Sequence, residues 1–576
     1  MESLILNQPW HLRPVDKGLV DRMAARAEVP WLIAGFLYQR GLRTTHQICT
    51  HLSPSLSSLS DPWSMKDMDR AVERLVKAVE KRERIGIFGD YDADGVTSSA
   101  LLYLFFTNDL DLPCHIYLPH REKDGYGLNP SGIRELHAQG CTLVVTVDCG
   151  ITGMQEVELA RSLGMDVIIT DHHHPPEQLP AAYAVLNPKR KDCSFAFKDL
   201  AGVGVAFNLV RALRSRLYEL GHWSREKVPN LKAYLDLVAL GTIADIVPLF
   251  GDNRILTRVG LEVLSISQRP GIVALKQVCG LGSQVTSFDV GFRLAPRVNA
   301  AGRMDHASIA LELLITKDDK EALRLSYHLN SLNQERQNQE ARILSEAIKL
   351  VEQDGKLPAY VLFSERWQKG IVGIVASRIV DQVHRPVLLL CKEGDLFQGS
   401  GRSPEFIDLY QALNLCKEHL LSFGGHRVAA GLKLHTESLE RFVKAFQDAC
   451  ITQMGEIAPV PQLRVDLEAD LKDLADPNFC QFFQLLEPFG EGYSPPIYAL
   501  KGFSVLDSRI VGNNHLKLIL GCESHVQGQP LDLLAWSQGD KMSLPWHRLE
   551  LACEPCVNTW QGQRRLQLRL KDARYK

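Results

Sequence analysis

Three aspartates spaced two apart, Asp90, Asp92 and Asp94, close the apolar run Ile85-Gly86-Ile87-Phe88-Gly89. Carboxylates with ordinary pKa values near ~3.9 repel one another when crowded at neutral pH, so a cation belongs among them. The same arrangement recurs downstream. Asp148 follows Leu143–Val147, Asp171, His172 and His173 follow Val167–Thr170, and Asp245 ends the stretch Leu240-Gly241-Thr242-Ile243-Ala244. Oxygen ligands with one or two imidazoles suit Mg2+ or Mn2+ better than a structural zinc, which favours cysteine. Two such ions about 3.5–4 Å apart can share a carboxylate, lower the pKa of a water and hold both oxygens of an in-line phosphoryl displacement. Phosphodiester hydrolysis is the chemistry that these residue types fit.

Two plainer readings compete. Asp-x-Asp-x-Asp-Gly also opens a calcium-binding EF-hand loop, but the twelfth position is Leu101 where a bidentate Glu is required, and a strand precedes the run in place of a helix. Any one aspartate at a strand end is more often a helix cap than a ligand. Only the convergence of several such residues reverses that preference.

The elements that must position these groups follow from periodicity. Strands are predicted at Ile85–Gly89, His115–Leu118, Leu143–Val147, Val167–Thr170 and Ala184–Leu186, with helices at Thr97–Thr107, Ser131–Gln139 and Met154–Gly164 between them. Strand and helix in alternation imply an α/β fold with a doubly wound, mainly parallel sheet, and ligands then bind beyond the carboxyl ends of the strands. Residues 1–75 read as a small N-terminal module and 76–317 as the catalytic domain. A long connecting helix is expected over 318–355, since proline and glycine are absent until Gly355. A second, substrate-binding α/β domain follows over 356–455, and alternating strand-like runs over 460–576 fit a five-stranded barrel of the oligonucleotide-binding (OB) type.

Phosphate and base contacts are expected from several places. Arg121 and Tyr126 lie in a basic, aromatic loop after a strand, with Tyr126 able to stack on a base. Arg297 and Arg303 offer planar forks for bidentate phosphate contact, and Asn299 lies between them. In the second domain, Arg378, the loop carrying Ser400 and Arg402, and the glycine turn at Gly425 and His426 offer further donors. Trp367 is equally compatible with stacking and with burial.

Composition narrows the class. The chain has 576 residues, 45% hydrophobic and 23% charged, with a net charge of −3, so any phosphate channel must be a local segregation of cations. No apolar run is long enough for a membrane span, and Met1-Glu2-Ser3-Leu4 does not open a secretory leader, so a cytoplasmic location is expected. Thirteen cysteines without paired spacing argue against a disulfide framework, and Cys553 with Cys556 lacks a second pair for zinc.

Asp90-Tyr91-Asp92-Ala93-Asp94-Gly95, Val147-Asp148-Cys149-Gly150, Asp171-His172-His173 and Gly241-Thr242-Ile243-Ala244-Asp245, in this order, resemble the DHH phosphoesterase family. Arg297-Val298-Asn299-Ala300-Ala301-Gly302-Arg303 and Gly424-Gly425-His426-Arg427-Val428-Ala429-Ala430-Gly431 extend the resemblance, the latter as the signature of the DHH-associated domain. The resemblance implies a two-ion Mg2+ or Mn2+ enzyme. Asp92 would bind the first ion, Asp94 the second and Asp148 both, with His172 and Asp245 completing the second site. Asp90 would lie close enough to bind metal or the bridging water, His173 would face the scissile phosphate, and Asp171 would orient a ligand histidine. Related pyrophosphatases carry a histidine where this chain has Phe88, which implies a weaker first site.

Within the family, the likeness is to exonucleases that degrade single-stranded DNA 5′ to 3′ to nucleoside 5′-monophosphates in repair, mismatch repair and recombination. Single-strand-binding protein and repair helicases are the implied partners, and a monomer is expected. The rivals are a DHH phosphodiesterase for short oligonucleotides or cyclic dinucleotides, and a non-catalytic nucleic-acid-binding scaffold.

Overall fold

A computed structural model describes residues 9–455, 462–522, 529–560 and 563–575. The stretch 1–4, read above for a leader, lies outside the described residues. The chain forms two compact units, one from the described residues of Met1–Ser60, Ile246–Leu261 and Val460–Lys576, the other from Asp61–Asp245 and Glu262–Pro459. Among the described residues no helix is long and apolar enough to cross a membrane.

The second unit holds a five-stranded parallel sheet. Its strands are β1 (Ile85–Gly89), β2 (Cys114–Tyr117), β3 (Leu143–Val147), β4 (Asp166–Thr170) and β5 (Ala184–Leu186), in the spatial order β2-β1-β3-β4-β5. β1 and β3 are buried at every position, which is why they read as unbroken apolar runs instead of alternating ones. Crossover helices α1 (Ala93–Leu104), α2 (Pro130–Ala138) and α3 (Met154–Ser162) return the chain to the sheet. α2 is capped by Asn129, whose Oδ1 accepts from Gly132 N at 2.8 Å, and has proline at its first position. α1 begins at Ala93, four residues before the predicted start at Thr97, because Asp92 caps it: its Oδ1 accepts from Asp94 N at 2.9 Å and Gly95 N at 3.1 Å. A stretch of aspartates and glycine reads as a loop by propensity, yet those residues are at home in a cap and first turn.

Helices α4 (Gly202–Glu219) and α5 (Leu235–Ala244) pack against α1. A third helical run then passes from Ser287–Asp289 through a π-turn, Val290–Leu294, into α6 (Ala295–Met304). α7 (Asp319–Asp354) is a single helix of 36 residues, capped by Asp318 and ended by Gly355 at φ 69°. After it come β6 (Tyr360–Ser364), α8 (Lys369–Val383), β7 (Val387–Glu393), β8 (Leu396–Arg402), β9 (Ser422–Gly425) and β10 (Ala429–His435). They build a mixed sheet ordered β9-β10-β8-β7-β6, in which only β6 and β7 run parallel.

In the first unit, seven strands lie in one sheet, in the order Leu467–Asp470, Tyr498–Lys501, Leu549–Trp560, Gln563–Tyr575, Leu531–Ala535, His515–Cys522 and Phe503–Val511. This exceeds the five strands expected. The segment Tyr498–Lys501 escapes sequence reading because Ser494-Pro495-Pro496 just before it signals a loop. Helices Lys17–Ala27, Trp31–Gln39 and Thr45–Leu52 share a core with this sheet, in which Ile33, Phe36, Leu467, Leu500 and Leu551 are all buried.

Candidate metal centre and phosphate-facing residues

The carboxyl ends of β1, β3 and β4 bring the acidic and imidazole groups together. Ligand atoms of Asp90, Asp92 and Asp148 lie within 4.8 Å of one another, and so do those of Asp94, His172 and Asp245. A third combination, Asp148, His172 and His173, meets the same limit and links the two. Asp148 Oδ1 is 3.1 Å from His172 Nε2, which is in turn 3.5 Å from Asp245 Oδ2. Asp148 holds a left-handed backbone at φ 60°, and its N–H donates to Thr170 O at 3.0 Å, so the turn is pinned to the neighbouring strand.

The electrostatics describe a crowd of buried anions. Burial, then the neighbouring carboxylate of Asp92, raises the Asp90 pKa well above the usual range. Burial and then Asp92 push Asp94 up to about 7. Burial followed by Asp94 and Asp92 does the same to Asp148 and Asp245, both well above the usual range. Burial, then the charge of His173, lowers His172 to about 3, which keeps its imidazole neutral and able to bind a metal.

Five buried atoms here have no hydrogen-bond partner: Asp90 Oδ1, Asp148 Oδ1, Asp245 Oδ2 and both ring nitrogens of His172. Leaving a buried polar atom unmet costs about 1–3 kcal/mol, more for a charged one. Converging oxygen donors with one neutral imidazole are what divalent Mg2+ or Mn2+ accepts, so the residues present fit such ions.

Asp171 does different work. Its Oδ1 accepts from His172 N at 2.7 Å, His173 N at 3.0 Å and His173 Nδ1 at 2.8 Å, and its Oδ2 accepts from Ile151 N at 2.9 Å. Burial alone would raise its pKa, but the hydrogen bonds from His173 win and hold it low. The reciprocal effect raises His173: burial opposes its charge, and the bond to Asp171 outweighs that.

The residues expected to face phosphate and bases divide by what their side chains already hold. The Arg121 guanidinium sits 4.4 Å over the Tyr91 ring. The Tyr126 hydroxyl donates to Asp148 O at 3.2 Å and lies 2.9 Å from His173 Nδ1, so Tyr126 buttresses the centre while its ring stays 48% exposed. Arg303 donates to Gly370 O at 2.9 Å, and burial, then the charges of Arg121 and Arg336, lower its pKa to about 10, which leaves it cationic at neutral pH. Asn299 is used inside the protein: its Oδ1 accepts from Ala93 N at 2.8 Å. Arg297 donates to Asn330 Oδ1 at 3.0 Å and to Arg293 O at 2.6 Å, so two of its nitrogens already tie helices together. Arg378 Nε lies 2.7 Å from Glu340 Oε1 on α7. Ser400 and Arg402 share one face of β8, where a Cβ on Gly373 would come within 3.4 Å and 3.2 Å of them. Gly425 ends β9, and the His426 ring lies 6.2 Å from that of His174. The Trp367 indole is buried and donates to Glu346 Oε2 at 3.0 Å.

Residues 84–242 match the DHH family, N-terminal domain, residues 355–452 the DHHA1 domain and residues 465–572 the RecJ OB domain. The single-stranded-DNA-specific exonuclease RecJ of Dickeya dadantii is 39% identical over 94% of this chain and 95% of its own length. That of Bacillus subtilis is 35% identical over 98% of this chain and 70% of its own. The crystal structure of RecJ in complex with Mn2+ from Thermus thermophilus superposes with a TM-score of 0.83 at 31% identity, covering 99% of this chain and 80% of that one. A second structure of the same protein, with Mg2+, gives a TM-score of 0.77 at 30% identity and covers 99% of this chain and 78% of that one. The chain belongs to the RecJ family.

Sequence reasoning missed some of the supports of this RecJ-family site. Gly202 N and Val203 N, at the start of α4, donate to Asp94 Oδ2 at 2.6 Å and Oδ1 at 2.9 Å. The signal was present in Ala201-Gly202-Val203-Gly204, a glycine-rich helix start of the kind that cradles an anion. Asn187 Nδ2 donates to His173 O at 2.8 Å, and no local pattern announces it. Phe88 is fully buried, 5.0 Å from the Tyr117 ring, and therefore belongs to the core behind the sheet.

Proposed function

We propose that this chain is a divalent-metal-dependent exonuclease that degrades single-stranded DNA 5′ to 3′ to nucleoside 5′-monophosphates. The observation that carries the reading is the pair of ligand triads at the carboxyl edge of the parallel sheet, supplied by strand ends, the start of α1 and the end of α5, and joined through Asp148 and His172. Asp90, Asp92 and Asp148 would hold one Mg2+ or Mn2+ ion, and Asp94, His172 and Asp245 the other. When bound, such a pair supplies Lewis-acid polarisation of the phosphate and a lowered pKa for attacking water. The chain's own residues do the rest. His173, fixed through Nδ1 to Asp171, presents a cationic ring to the scissile phosphate, and Arg121 and Arg303 offset the charge that accumulates on its oxygens. Arg378, Ser400, Arg402, Gly425 and His426 would guide the strand from the second α/β domain. The complete ligand set favours an enzyme over a scaffold, and the match along the whole length of polymer-degrading relatives favours long strands over dinucleotides.

The reading extends to roles in repair and recombination, to single-strand-binding protein and repair helicases as partners, and to a monomer acting in the cytoplasm. The test is digestion of 5′- and 3′-labelled single and double strands with Mg2+, Mn2+ or chelator. The expected outcome is metal-dependent release of mononucleotides from the 5′ end of single strands, abolished by chelator and reduced at least about 100-fold by Asp148→Ala. Undiminished cleavage by that variant removes the metal assignment. Cleavage confined to dinucleotides replaces the substrate assignment.

A further inference from the structure

The third helical run leaves two large apolar rings in water. Phe288 is 58% exposed and Phe292 69% exposed, and the two rings stack on each other with centroids 4.6 Å apart and planes 27° off parallel. Scattered exposed apolar side chains need no explanation, but a stacked pair of exposed phenylalanines on one helix is a feature that interaction surfaces use.

Their placement says what would cover them. Pro296, Asn299 and Arg303 recur at intervals of three and four on α6, the spacing of one helical stripe, and Phe288 and Phe292 precede them on the same continuous helical run. Val290, Leu294, Ala295, Val298, Ala300 and Ala301, off that stripe, are buried. The far end of the stripe is anchored at the metal centre, since Asn299 Oδ1 accepts from Ala93 N, next to Asp92, at 2.8 Å. The near end packs beside α5, the helix that Asp245 closes. At about 1.5 Å per residue, Phe292 stands roughly 10 Å along the helix axis from Asn299. The π-turn Val290–Leu294 carries Phe292 itself and joins Phe288 to α6, and such turns recur at functional sites.

We propose that the stacked Phe288 and Phe292 rings are a base-stacking platform that holds a single strand on its path to the metal centre. This inference rests on the reading of the chain as an exonuclease for single-stranded DNA. Every base has a π-face, so two phenyl rings grip a strand without choosing its sequence. The adjacent arginine, Arg293, already has partners in the protein, with Nη1 donating to Asp289 Oδ1 at 3.2 Å and Nη2 bonded to the Cys279 carbonyl. The two phenyl rings themselves offer a strand contacts to bases and none to phosphates, and that difference is measurable.

The experiment compares the full chain with Phe292→Ala, with the double variant Phe288→Ala/Phe292→Ala and with Phe292→Trp. Affinity is measured in Mg2+ for a nuclease-resistant phosphorothioate strand and for the same strand carrying abasic sites. Losing one base stack weakens binding by about 5- to 150-fold. The double variant is expected to lose at least about tenfold on the base-bearing strand and little on the abasic one. Its salt dependence should keep the wild-type slope, because no phosphate contact is removed. Phe292→Trp should keep or tighten binding, and both positions are exposed, so thermal unfolding should be unchanged. Wild-type affinity in the double variant, or an equal loss on both strands, overturns the proposal. So does unchanged binding with reduced self-association, which would assign the rings to a contact between copies. If the wild type binds the base-bearing strand more tightly but never degrades an unmodified one, the exonuclease reading falls while the platform stands. If it binds no single strand, both fall.

Discussion

Asp171 separates the groups that would touch metal from those that aim them. Its four accepted hydrogen bonds leave it no part in the two triads, yet they fix the His173 ring and hold the backbone of His172. Partners of this kind typically contribute 10- to 100-fold in activity or metal affinity. Asp171→Asn keeps the shape and the acceptor for Ile151 N but replaces Oδ1, which accepts from His172 N, His173 N and His173 Nδ1, by an amide nitrogen, and it lacks the charge that favours protonation of His173. The expected result is a fall in kcat of about 10- to 100-fold with KM for DNA little changed. An unaltered kcat would mean that His173 needs no such partner. Like-charge crowding gives a second expectation. Without metal, Asp148→Asn removes one of the buried anions that burial and neighbours already push toward protonation, so the apo protein should melt at a higher temperature than the wild type. With Mn2+ at 100 times its dissociation constant the wild type should gain about 2.7 kcal/mol and the variant less, because binding to the folded state alone stabilises it. Differential scanning calorimetry with and without Mn2+ reads both.

At the scale of elements, the site depends on how closely α4 approaches β3. A Cβ on Gly202 would fall 2.7 Å from Asp148 Cβ, while one on Gly204 would meet only Leu200 Cδ2 at 3.2 Å. Gly202→Ala must therefore push the helix start away from Asp94 and Asp148, at about 1–3 kcal/mol for such overpacking. Mn2+ affinity, read by isothermal titration calorimetry, should fall at least tenfold, whereas Gly204→Ala should bind metal normally. Equal affinities in the two would show that the close approach does not shape the site. The elements themselves were largely legible. β1, β3 and β5 fall where the sequence pattern places them and β2 and β4 start one residue earlier; β1, β3, β4 and β5 are buried strands that leave unbroken apolar runs between turn signals, while β2 is a half-buried edge strand. α7 was readable for a related reason, an uninterrupted run between Asp318 and Gly355. The convergence of the candidate ligands was legible where they follow strands, as Asp90, Asp148 and His172 do, because strand ends are local, whereas Asp245 closes α5. What was not legible depends on distant partners. Asn299 and Arg297 are expected at DNA, and no sequence signal shows that Asn299 Oδ1 also accepts from Ala93 N or that Arg297 Nε also donates to Asn330 on α7. The start of α1 was misplaced because its capping aspartate belongs to a motif that reads first as metal chemistry.

At the scale of the whole chain, the unit carrying the N- and C-terminal segments contains a titratable device unrelated to catalysis. Arg254, nearly fully buried, donates to the carbonyls of His51 at 3.1 Å, Pro488 at 3.3 Å, Leu485 at 3.0 Å and Glu487 at 3.2 Å. It thereby satisfies the end of helix Pro477–Leu486 and ties it to Thr45–Leu52, elements more than 400 residues apart in sequence. His51 lies beside it, its Nε2 at 2.8 Å from the Tyr493 hydroxyl. Burial, then the fixed charge of Arg254, lowers the His51 pKa from 6.5 to about 3. The sign follows from linkage. Below pH 6.5 the unfolded chain takes up a proton at His51 that the folded unit refuses, so stability is fully present above 6.5 and declines as pH falls toward 3. The slope is at most about 1.4 kcal/mol per pH unit, so this unit should be about 2 kcal/mol less stable at pH 5 than at pH 8. Because the chain has two units, one melting curve does not report this cleanly. Hydrogen exchange in Thr45–Leu52 and Pro477–Leu486, corrected for intrinsic rates, does. His51→Gln keeps a hydrogen-bonding partner for Tyr493 without a titrating group, so its protection should vary much less between pH 8 and pH 5. A variant as acid-sensitive as the wild type would assign the acid response of this core to groups other than His51.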